Sequence, residues 1–290
     1  MLLLTGATGL VGSALLRRLT TARTPVRCLV RDPRRLGPER VRVQIALGDL
    51  ADPPSFRNAM RGVKTVVHLA AAIRDQPAGS IEELNGIATW RMVQAAERAG
   101  VERFVFVSAL SATTHNRTRF LRAKALAEEA VAASSLEHVV LAPSLVYGQG
   151  DPYATLLGRA ALLPVVPMSG RGRARFQPVW AEDLADCLAH VVAAGGGSAR
   201  YEVAGPETLT HTELVRLLLR AAGRPRPVLH VPTPVVSRTL RALETIMKSK
   251  APATWDEAEL LEVSMTTPKG TSDAEALGVP PRRMAAVLGV

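Results

Sequence analysis

The segment TGATGLVG, residues 5–12, connects the apolar stretch LLLT to the amphipathic stretch LVGSALLRRLTTA. Its glycines at positions 6, 9 and 12 suit a tight turn from a strand into a helix, because glycine has no Cβ. The second glycine lets the backbone approach a pyrophosphate, and the helix N-terminus presents partial positive charge to it. Between a strand and a helix the triplet predicts a dinucleotide site, and a plain strand-to-helix turn is the alternative.

Apolar strands and amphipathic helices alternate through the first half of the chain, from LLLT to EHVVLAPSLVYG. Continuous Val, Leu and Ile strands separated by helices indicate a parallel sheet with both faces covered. The sequence therefore predicts an α/β fold, a doubly wound parallel sheet of the Rossmann type, with a smaller mixed C-terminal region over the strand carboxyl ends. We expect a dinucleotide-binding domain at 1–150 and a substrate or cap region at 151–290, which can interleave with it.

Composition narrows the class of protein. The 290 residues are 47% apolar and carry a net charge of +10, mostly from scattered arginines, with no recognised DNA- or RNA-binding signature. We therefore expect no nucleic-acid partner and a preference for phosphate-bearing ligands. Cys28 and Cys187 have no metal or redox spacing, so buried thiols and no metal site are predicted. No apolar run is long enough for a membrane span, and a cytoplasmic location is expected.

The residues after the second predicted strand bear on the choice of cofactor. An acidic residue there would bind a ribose 2′-hydroxyl, whereas a basic residue would bind a 2′-phosphate. Arg31 follows the strand directly, with Arg34 and Arg35 close behind, and a guanidinium matches phosphate geometry. NADP(H) is favoured. Asp32 leaves NAD(H) open, and a solvated loop is the alternative reading of these charges.

The ends of the next two predicted strands add weaker signals. Asp49 follows the third strand and can accept a hydrogen bond from an adenine amino group. Ala70 and Ala71 follow the fourth strand, and small side chains there let a cofactor pass close to the strand end. Their order along one sheet supports a single site.

The motifs TGATGLVG, GDL, HLAA, AAERAGVERFVFVS and APSLVYGQG resemble those of extended or atypical short-chain dehydrogenases/reductases. The resemblance covers essentially the whole chain. The branch it most resembles is the bacterial relatives of the NAD(P)H-binding accessory subunit of respiratory complex I, which have similar GRxRFQPV…DLA and YEVAGPETLT segments. Those segments stand here at 172–185 and 201–210.

The resemblance, together with the glycine turn, implies a set of cofactor-binding residues. It implies that the glycine turn holds the pyrophosphate, that Lys124 hydrogen-bonds the nicotinamide ribose, and that residues 143–146 close over the nicotinamide. The full set is Gly6, Thr8, Gly9, Leu10, Val11, Gly12, Arg31, Asp49, Leu50, Leu69, Ala70, Ala71, Ser108, Lys124, Pro143, Leu145 and Val146.

The chain departs from the family pattern at two positions. Phe120 stands where the family has its catalytic tyrosine, and Leu110 where it has a catalytic serine. General acid–base help of the kind a tyrosine gives is worth about 10²–10⁴ in rate, and a phenyl ring cannot supply it. His115 and Tyr147 are alternative candidates for the proton donor. The simpler interpretation of His115 is an exposed loop histidine, and that of Tyr147 is a residue that packs beneath the C-terminal region.

Two further segments are candidate binding elements. Arg171, Arg173 and Arg175 alternate in GRGRARFQPVW, which predicts one side of a strand, and Arg173 and Arg175 are candidates for binding an anionic substrate. A solvated hairpin face is the alternative. The segment 235–250 has an apolar helical stripe with basic residues elsewhere, which indicates either peripheral membrane contact or packing on the protein's own core.

These observations leave three functions open. The first is an NADP(H)-binding oxidoreductase of low or atypical activity, acting on a small and anionic substrate. The second is a non-catalytic NADP(H)-binding protein for assembly, scaffolding or redox sensing. A nucleotide-sugar epimerase or dehydratase is a weaker third, since it also relies on the tyrosine. The oligomeric state, monomer or dimer, stays open.

Overall fold

The computed structural model describes residues 1–247 and 253–290, except for the side chains at positions 243, 244, 246 and 247. The strands are β1 Leu2–Thr5, β2 Val26–Val30, β3 Gln44–Leu47, β4 Thr65–His68, β5 Arg103–Val107, β6 Glu137–Pro143, β7 Val146–Tyr147, β8 Val166–Ser169, β9 Arg175–Phe176, β10 Val179–Trp180, β11 Ala199–Val203, β12 Leu209–Thr210 and β13 Val228–Val231. The α-helices are α1 Leu10–Thr21, α2 Pro53–Arg57, α3 Ala88–Arg98, α4 Arg119–Ala132, α5 Pro152–Ala160, α6 Ala181–Ala194, α7 His211–Ala221, α8 Thr233–Met247, α9 Trp255–Leu260, α10 Ser272–Ala276 and α11 Met284–Leu288. Pro33–Val41 and Asn58–Met60 are 3₁₀ segments.

A seven-stranded parallel sheet organises the chain, in the order β3-β2-β1-β4-β5-β6-β11. The order reverses between β1 and β4, which is where doubly wound sheets bind ligands at the strand carboxyl ends. The predicted α/β Rossmann-type fold is confirmed.

Alternation along each strand sends apolar side chains to both faces of the sheet. In β1, Leu2 and Leu4 pack with α1 and α6, whereas Leu3 packs on the opposite face with α2, α3 and α4. Both faces are therefore covered, as a parallel sheet requires. On the first face, Arg18 of α1 also forms ion pairs with Asp186 at 2.5 Å and Glu182 at 2.6 Å.

Residues after 150 contribute both to the sheet and to a separate layer. Strand β11 pairs with β6 and extends the sheet, and α6 packs on α1. The short pairs β7–β10, β9–β12 and β8–β13 form outside the sheet. The chain after residue 150 thus supplies the edge strand β11 beside β6 as well as the layer outside the sheet.

Two helices have distinctive starts. A capping box begins α7, because Thr210 Oγ1 accepts from the Glu213 amide and the Glu213 carboxylate accepts from the Thr210 amide. A π-helical segment at Glu83–Ile87 precedes α3. Among the described residues, no helix is long and apolar enough to cross a membrane.

Helix α8 covers most of the segment predicted to contact either a membrane or the core. The guanidinium of Arg241 lies 4.3 Å from the ring centre of Trp255, at the start of α9. One side of α8 therefore packs against the protein itself. Positions 248–250 of the predicted segment lie outside the described residues.

Candidate functional site

The glycine turn has the geometry that a close-approaching ligand needs. Gly6 has φ = +72°, and a Cβ there would lie 2.6 Å from the amide nitrogen of Ala70. A Cβ on Gly12 would lie 2.0 Å from the carbonyl oxygen of Gly6. Gly9 caps α1, and its amide donates to the same carbonyl oxygen at 3.0 Å. Larger residues at 6 and 12 would displace either the β4 loop or α1, so the turn depends on glycine.

A cavity of about 230 Å³ opens at this turn, over the carboxyl ends of β1, β2, β3 and β4. Its lining comes from four consecutive strand ends: Thr5–Gly9, Leu29–Arg31, Gly48–Leu50 and Leu69–Ala72. The free amides at the start of α1 and the helix dipole favour an anion at this cavity. The residues present fit a dinucleotide, because backbone rather than side chain lines the cavity at the helix N-terminus.

Most of the residues predicted for the adenosine and pyrophosphate side line the cavity. These are Gly6, Thr8, Gly9, Arg31, Asp49, Leu50, Leu69, Ala70 and Ala71. Leu10, Val11 and Gly12 are instead in the first turn of α1. Gln76 and Leu84 also line the cavity and were not anticipated, because neither belongs to a strand end.

Charged side chains at the ends of β2 and β3 face each other across the cavity. Arg31 Nη1 lies 3.9 Å from Asp49 Oδ2 and donates to Gln76 Oε1 at 3.2 Å. Asp32 accepts from the Arg34 amide at 2.9 Å, which caps the following 3₁₀ segment. The guanidinium of Arg31 therefore lines the cavity, while the carboxylate of Asp32 is used by the local turn.

A buried polar network fixes the β4 loop beneath the cavity. Asn85, in the π-helical segment, accepts from the Ala72 amide at 3.0 Å and donates to the Ala72 carbonyl at 2.8 Å. His68 contacts Thr5 Oγ1 at 2.7 Å and Thr89 Oγ1 at 3.1 Å. The sequence did not predict this network, because its hydrogen bonds join residues 13 to 63 positions apart along the chain.

Lys124 of α4 is buried, with 3% of its surface exposed. Its Nζ donates to the carbonyl oxygen of Val107 at 2.6 Å and lies 4.6 Å from the ring centre of Phe106. Burial lowers the pKa of Lys124 to about 7. Burial, together with the charge of Lys124, also lowers the pKa of His68 to about 3, so this histidine is neutral.

The two positions without hydroxyl groups lie in one apolar cluster. Phe120 and Leu110 pack together with Phe176 and Met265, which come from distant parts of the chain. Ser108 is buried beside them at the end of β5, and its Oγ has no hydrogen-bond partner among the described residues. The region around Lys124 is thus an apolar wall with one unpaired serine hydroxyl.

Three other residues predicted on the nicotinamide side do not line the cavity: Pro143 ends β6, Leu145 lies between β6 and β7, and Val146 begins β7. Leu145 contacts both the cluster of Phe120 and a second apolar cluster under α7.

The structure separates the two alternative proton donors from the cavity. His115 is in the exposed loop before α4, where its Nδ1 contacts Thr114 Oγ1 at 3.2 Å. Tyr147 is buried in the cluster of α5, β8 and α7, and its hydroxyl has no partner among the described residues. Burial raises the pKa of Tyr147.

A second cavity, of about 310 Å³, is lined by Arg171, Arg173, Thr233 and Glu262, among others. Arg171 is in a turn and Arg173 in the irregular segment that follows it, so of the three arginines in the predicted strand only Arg175 belongs to β9. All three arginines are exposed, and none forms an ion pair with another described residue. The three arginines are therefore all exposed to solvent, but they do not lie on one face of a strand.

A doubly wound parallel sheet with a glycine turn and a helix N-terminus at its reversal point defines a dinucleotide-binding protein. The chain belongs to the NAD(P)H-binding family, whose sequence profile matches residues 6–160. The predicted resemblance to atypical short-chain dehydrogenases/reductases, with relatives among complex I subunits, is confirmed.

Two named relatives cover most of this chain. The chain is 28% identical to NADH dehydrogenase [ubiquinone] 1 alpha subcomplex subunit 9, mitochondrial, of Arabidopsis thaliana, over 85% of this chain and 64% of that protein. It thus spans less than two thirds of that relative. It is 31% identical to sterol demethylase protein B of Methylococcus capsulatus, over 79% of this chain and 77% of that protein.

Among solved structures, an NADPH-dependent quinone oxidoreductase of Escherichia coli, complexed with NADPH, superposes with a TM-score of 0.75. The match covers 100% of this chain and 99% of that one at 19% identity. At this identity the likeness shows the shared fold.

Proposed function

We propose that this protein is an NADP(H)-dependent oxidoreductase that reduces its acceptor without a catalytic tyrosine. The observation that carries the proposal is the cavity at the glycine turn, with Arg31 on its rim and Lys124 buried at the end of the neighbouring strand β5. An NAD(P)H-binding family and reductases among the relatives support the redox part.

The preference for NADP(H) over NAD(H) rests on Arg31. Its guanidinium is on the cavity rim, where a 2′-phosphate would accept a charge-assisted hydrogen bond. Asp32 is the acidic residue that could instead bind a ribose 2′-hydroxyl, but its carboxylate already accepts a hydrogen bond from the Arg34 amide. A nearby carboxylate, Asp49, lies 3.9 Å from Arg31 and can orient the guanidinium.

We assign the nicotinamide side to Ser108, Lys124, Pro143, Leu145 and Val146. When bound, the cofactor supplies a hydride. Lys124 would orient the ribose by hydrogen bonding, since its Nζ already donates at the end of β5. Phe120 and Leu110 offer no proton at the acceptor, which favours a conjugated double bond over a simple carbonyl. Hydride addition to the conjugated acceptor would leave a delocalised enolate that can take its proton from water after release, whereas an alkoxide needs a proton at once.

The substrate side is proposed for the region 151–290. Arg173 lines the second cavity, and Arg175, two residues later in β9, is also exposed. A guanidinium without a carboxylate partner is a suitable donor to an anionic group. We therefore propose an acidic substrate, bound by Arg173 and Arg175.

A non-catalytic NADP(H)-binding role is the second candidate. The observation that favours it is the packing of Phe120 and Leu110 in one apolar cluster, which leaves no tyrosine or serine hydroxyl at either family position. A relative named as a subunit of NADH dehydrogenase also supports this role. An epimerase or dehydratase is less well supported, because it needs the tyrosine.

The test combines cofactor binding with turnover. The purified protein is titrated with NADPH and NADH, and NADPH oxidation is then followed with quinones, conjugated ketones and simple aldehydes. We expect tighter binding of NADPH, and oxidation by conjugated acceptors only. Arg31→Ala should weaken NADPH binding by roughly 10–100-fold and leave NADH nearly unchanged, whereas Arg98→Ala, far from the cavity, should change neither.

The outcomes separate the candidates. Tighter binding of NADH than of NADPH would refute the assigned cofactor preference. Tight NADPH binding without oxidation by any acceptor would reject the oxidoreductase and support the binding role.

A further inference from the structure

The net charge of the chain is concentrated in two segments. Segments 152–181 and 214–243 contain no aspartate or glutamate and together hold ten of the 36 lysine and arginine residues. The other 26 basic residues equal the 26 acidic residues in number, so the net charge of +10 resides in these two segments. An uncompensated charge of this kind creates a lasting positive potential and attracts anionic partners.

The fold brings these two segments together. Strands β8 and β13 pair in parallel, with Val166 opposite Val228 and Pro167 opposite Leu229. Arg226 Nε donates to the carbonyl oxygen of Ala161 at 3.2 Å, just before the turn into β8. Helices α5 and α7 share one apolar cluster beneath this pair. The β8 and β13 parts of these two segments thus form one surface.

The outer side of this surface is apolar. Leu162 and Leu163 are 69% and 53% exposed, Val165 is 36% exposed, and Leu229 is 57% exposed. Val166 is buried between them, because alternate residues of a strand point to opposite sides. We call the turn Leu162–Val165 together with Pro167 and Leu229 the apolar ridge.

Arginines flank the apolar ridge. Arg159 precedes it at the end of α5, and Arg224 and Arg226 precede β13; all three are exposed. None of these three arginines forms an ion pair with another described residue, and the Arg226 guanidinium donates to the backbone carbonyls of Ala161 and Pro225. Exposed aliphatic side chains of this kind can insert among lipid acyl chains, and the arginines beside them can bind anionic headgroups.

We propose that the apolar ridge docks this protein on an anionic membrane surface. Burial of the aliphatic side chains at the acyl boundary lowers the free energy of binding. The arginines add an electrostatic attraction to anionic lipids, which salt weakens by screening. A protein interface usually has aromatic anchors at its centre, but residues 161–170 and 222–236 contain no Phe, Trp or Tyr. Nucleic acid would leave the leucines exposed. The inference is independent of the proposed function.

Vesicle binding by the full chain tests the docking. Co-sedimentation is measured with vesicles of phosphatidylcholine alone and of phosphatidylcholine mixed with phosphatidylglycerol. We expect binding to the anionic vesicles only, weakened by salt. The double variant Leu162→Ser, Leu163→Ser should bind at least roughly tenfold more weakly, and Arg159→Gln with Arg224→Gln roughly twentyfold more weakly. Val41→Ser, 81% exposed on another surface, is the matched control and should bind like the wild type.

A site-specific probe tests insertion directly. Cys28 and Cys187 are both buried, so an environment-sensitive thiol dye attached to L163C reports the ridge. Its emission should shift to the blue with anionic vesicles, while the dye on V41C should not. Absence of vesicle binding, or equal shifts at both positions, would overturn the proposal. Binding to polyglutamate without binding to vesicles would do so as well, and would indicate an acidic protein partner.

Discussion

The ammonium group of Lys124 lies 5.9 Å from the ring centre of Phe120, one helical turn earlier on α4. The same Nζ donates to the carbonyl oxygen of Val107 at 2.6 Å. The lysine is thus held by backbone at the end of β5 and by aromatic rings, with no hydroxyl needed for its position. A cofactor-binding role for Lys124 and a proton-transfer role for residue 120 are therefore separable.

Restoring a hydroxyl at position 120 tests this separation. We expect Phe120→Tyr to leave the Kd for NADPH within about twofold of the wild type, because Lys124 is already positioned without it. Lys124→Met, on the same helix, is the matched variant and should weaken NADPH binding clearly. Fluorescence titration measures both. A large loss of affinity in the tyrosine variant would show that Phe120 lies elsewhere than beside the nicotinamide.

The sequence patterns were sufficient to predict the parallel sheet and the strand ends that surround the glycine turn. Local periodicity identifies parallel strands, and their carboxyl ends must share one edge. Phe120 and Leu110 could be read as missing hydroxyls, but their enclosure by Phe176 and Met265 could not, because those contacts span more than fifty residues of chain. Likewise β11 joins the sheet through pairing with β6, which no local pattern encodes.

The side-chain detail of the site was less accessible from sequence. Asp32 could be weighed against Arg31 as the ribose-binding residue, and only the structure gives its hydrogen bond to the Arg34 amide. The alternating arginines predicted a strand, but positive φ at Gly170 and Gly172 makes a turn there instead. The conformation of the backbone at the two glycines thus determines that this segment turns, which the alternation of arginines did not predict.

Gly12 is expected to be intolerant of any side chain. A Cβ at this position would lie 2.0 Å from the Gly6 carbonyl oxygen, which is backbone and cannot rotate away. Gly12→Ala should lower the free energy of unfolding by about 3 kcal/mol and abolish measurable NADPH binding. Chemical denaturation and titration provide the two measurements.

Gly158 provides the matched glycine control. It lies inside α5, and a Cβ there would have nothing within 4 Å. Gly158→Ala should therefore raise the free energy of unfolding by roughly 0.5–1 kcal/mol without changing NADPH binding. Equal effects of the two alanines would contradict the steric account of the turn.

Asn85 is expected to link stability to cofactor binding. Its buried side chain makes hydrogen bonds to both backbone groups of Ala72 and to the Ile81 carbonyl at 2.7 Å. Asn85→Ala leaves these groups unpaired, which should cost about 2–3 kcal/mol and weaken NADPH binding, because Ala72 lines the cavity. Asn58→Ala, at an exposed position, is the control. Destabilisation without any loss of affinity would show that the β4 loop does not shape the site.

The buried ammonium of Lys124 should make stability depend on pH in a defined direction. Burial lowers its pKa from 10.5 to about 7 in the folded protein, whereas the unfolded chain keeps the proton to higher pH. Between these values unfolding takes up a proton, so rising pH disfavours unfolding. The wild-type free energy of unfolding should therefore rise from pH 7 to pH 10 relative to Lys124→Met.

Denaturant titrations of both proteins across this range, without cofactor, measure that difference. Below pH 7 the wild type carries the full cost of the buried charge, so Lys124→Met should gain most in stability there. Lys64→Met removes an exposed ammonium and should show no comparable slope. A difference between wild type and Lys124→Met that stays constant from pH 6 to pH 10 would mean that Lys124 keeps its proton throughout, and that its hydrogen bond to Val107 offsets the cost of burial.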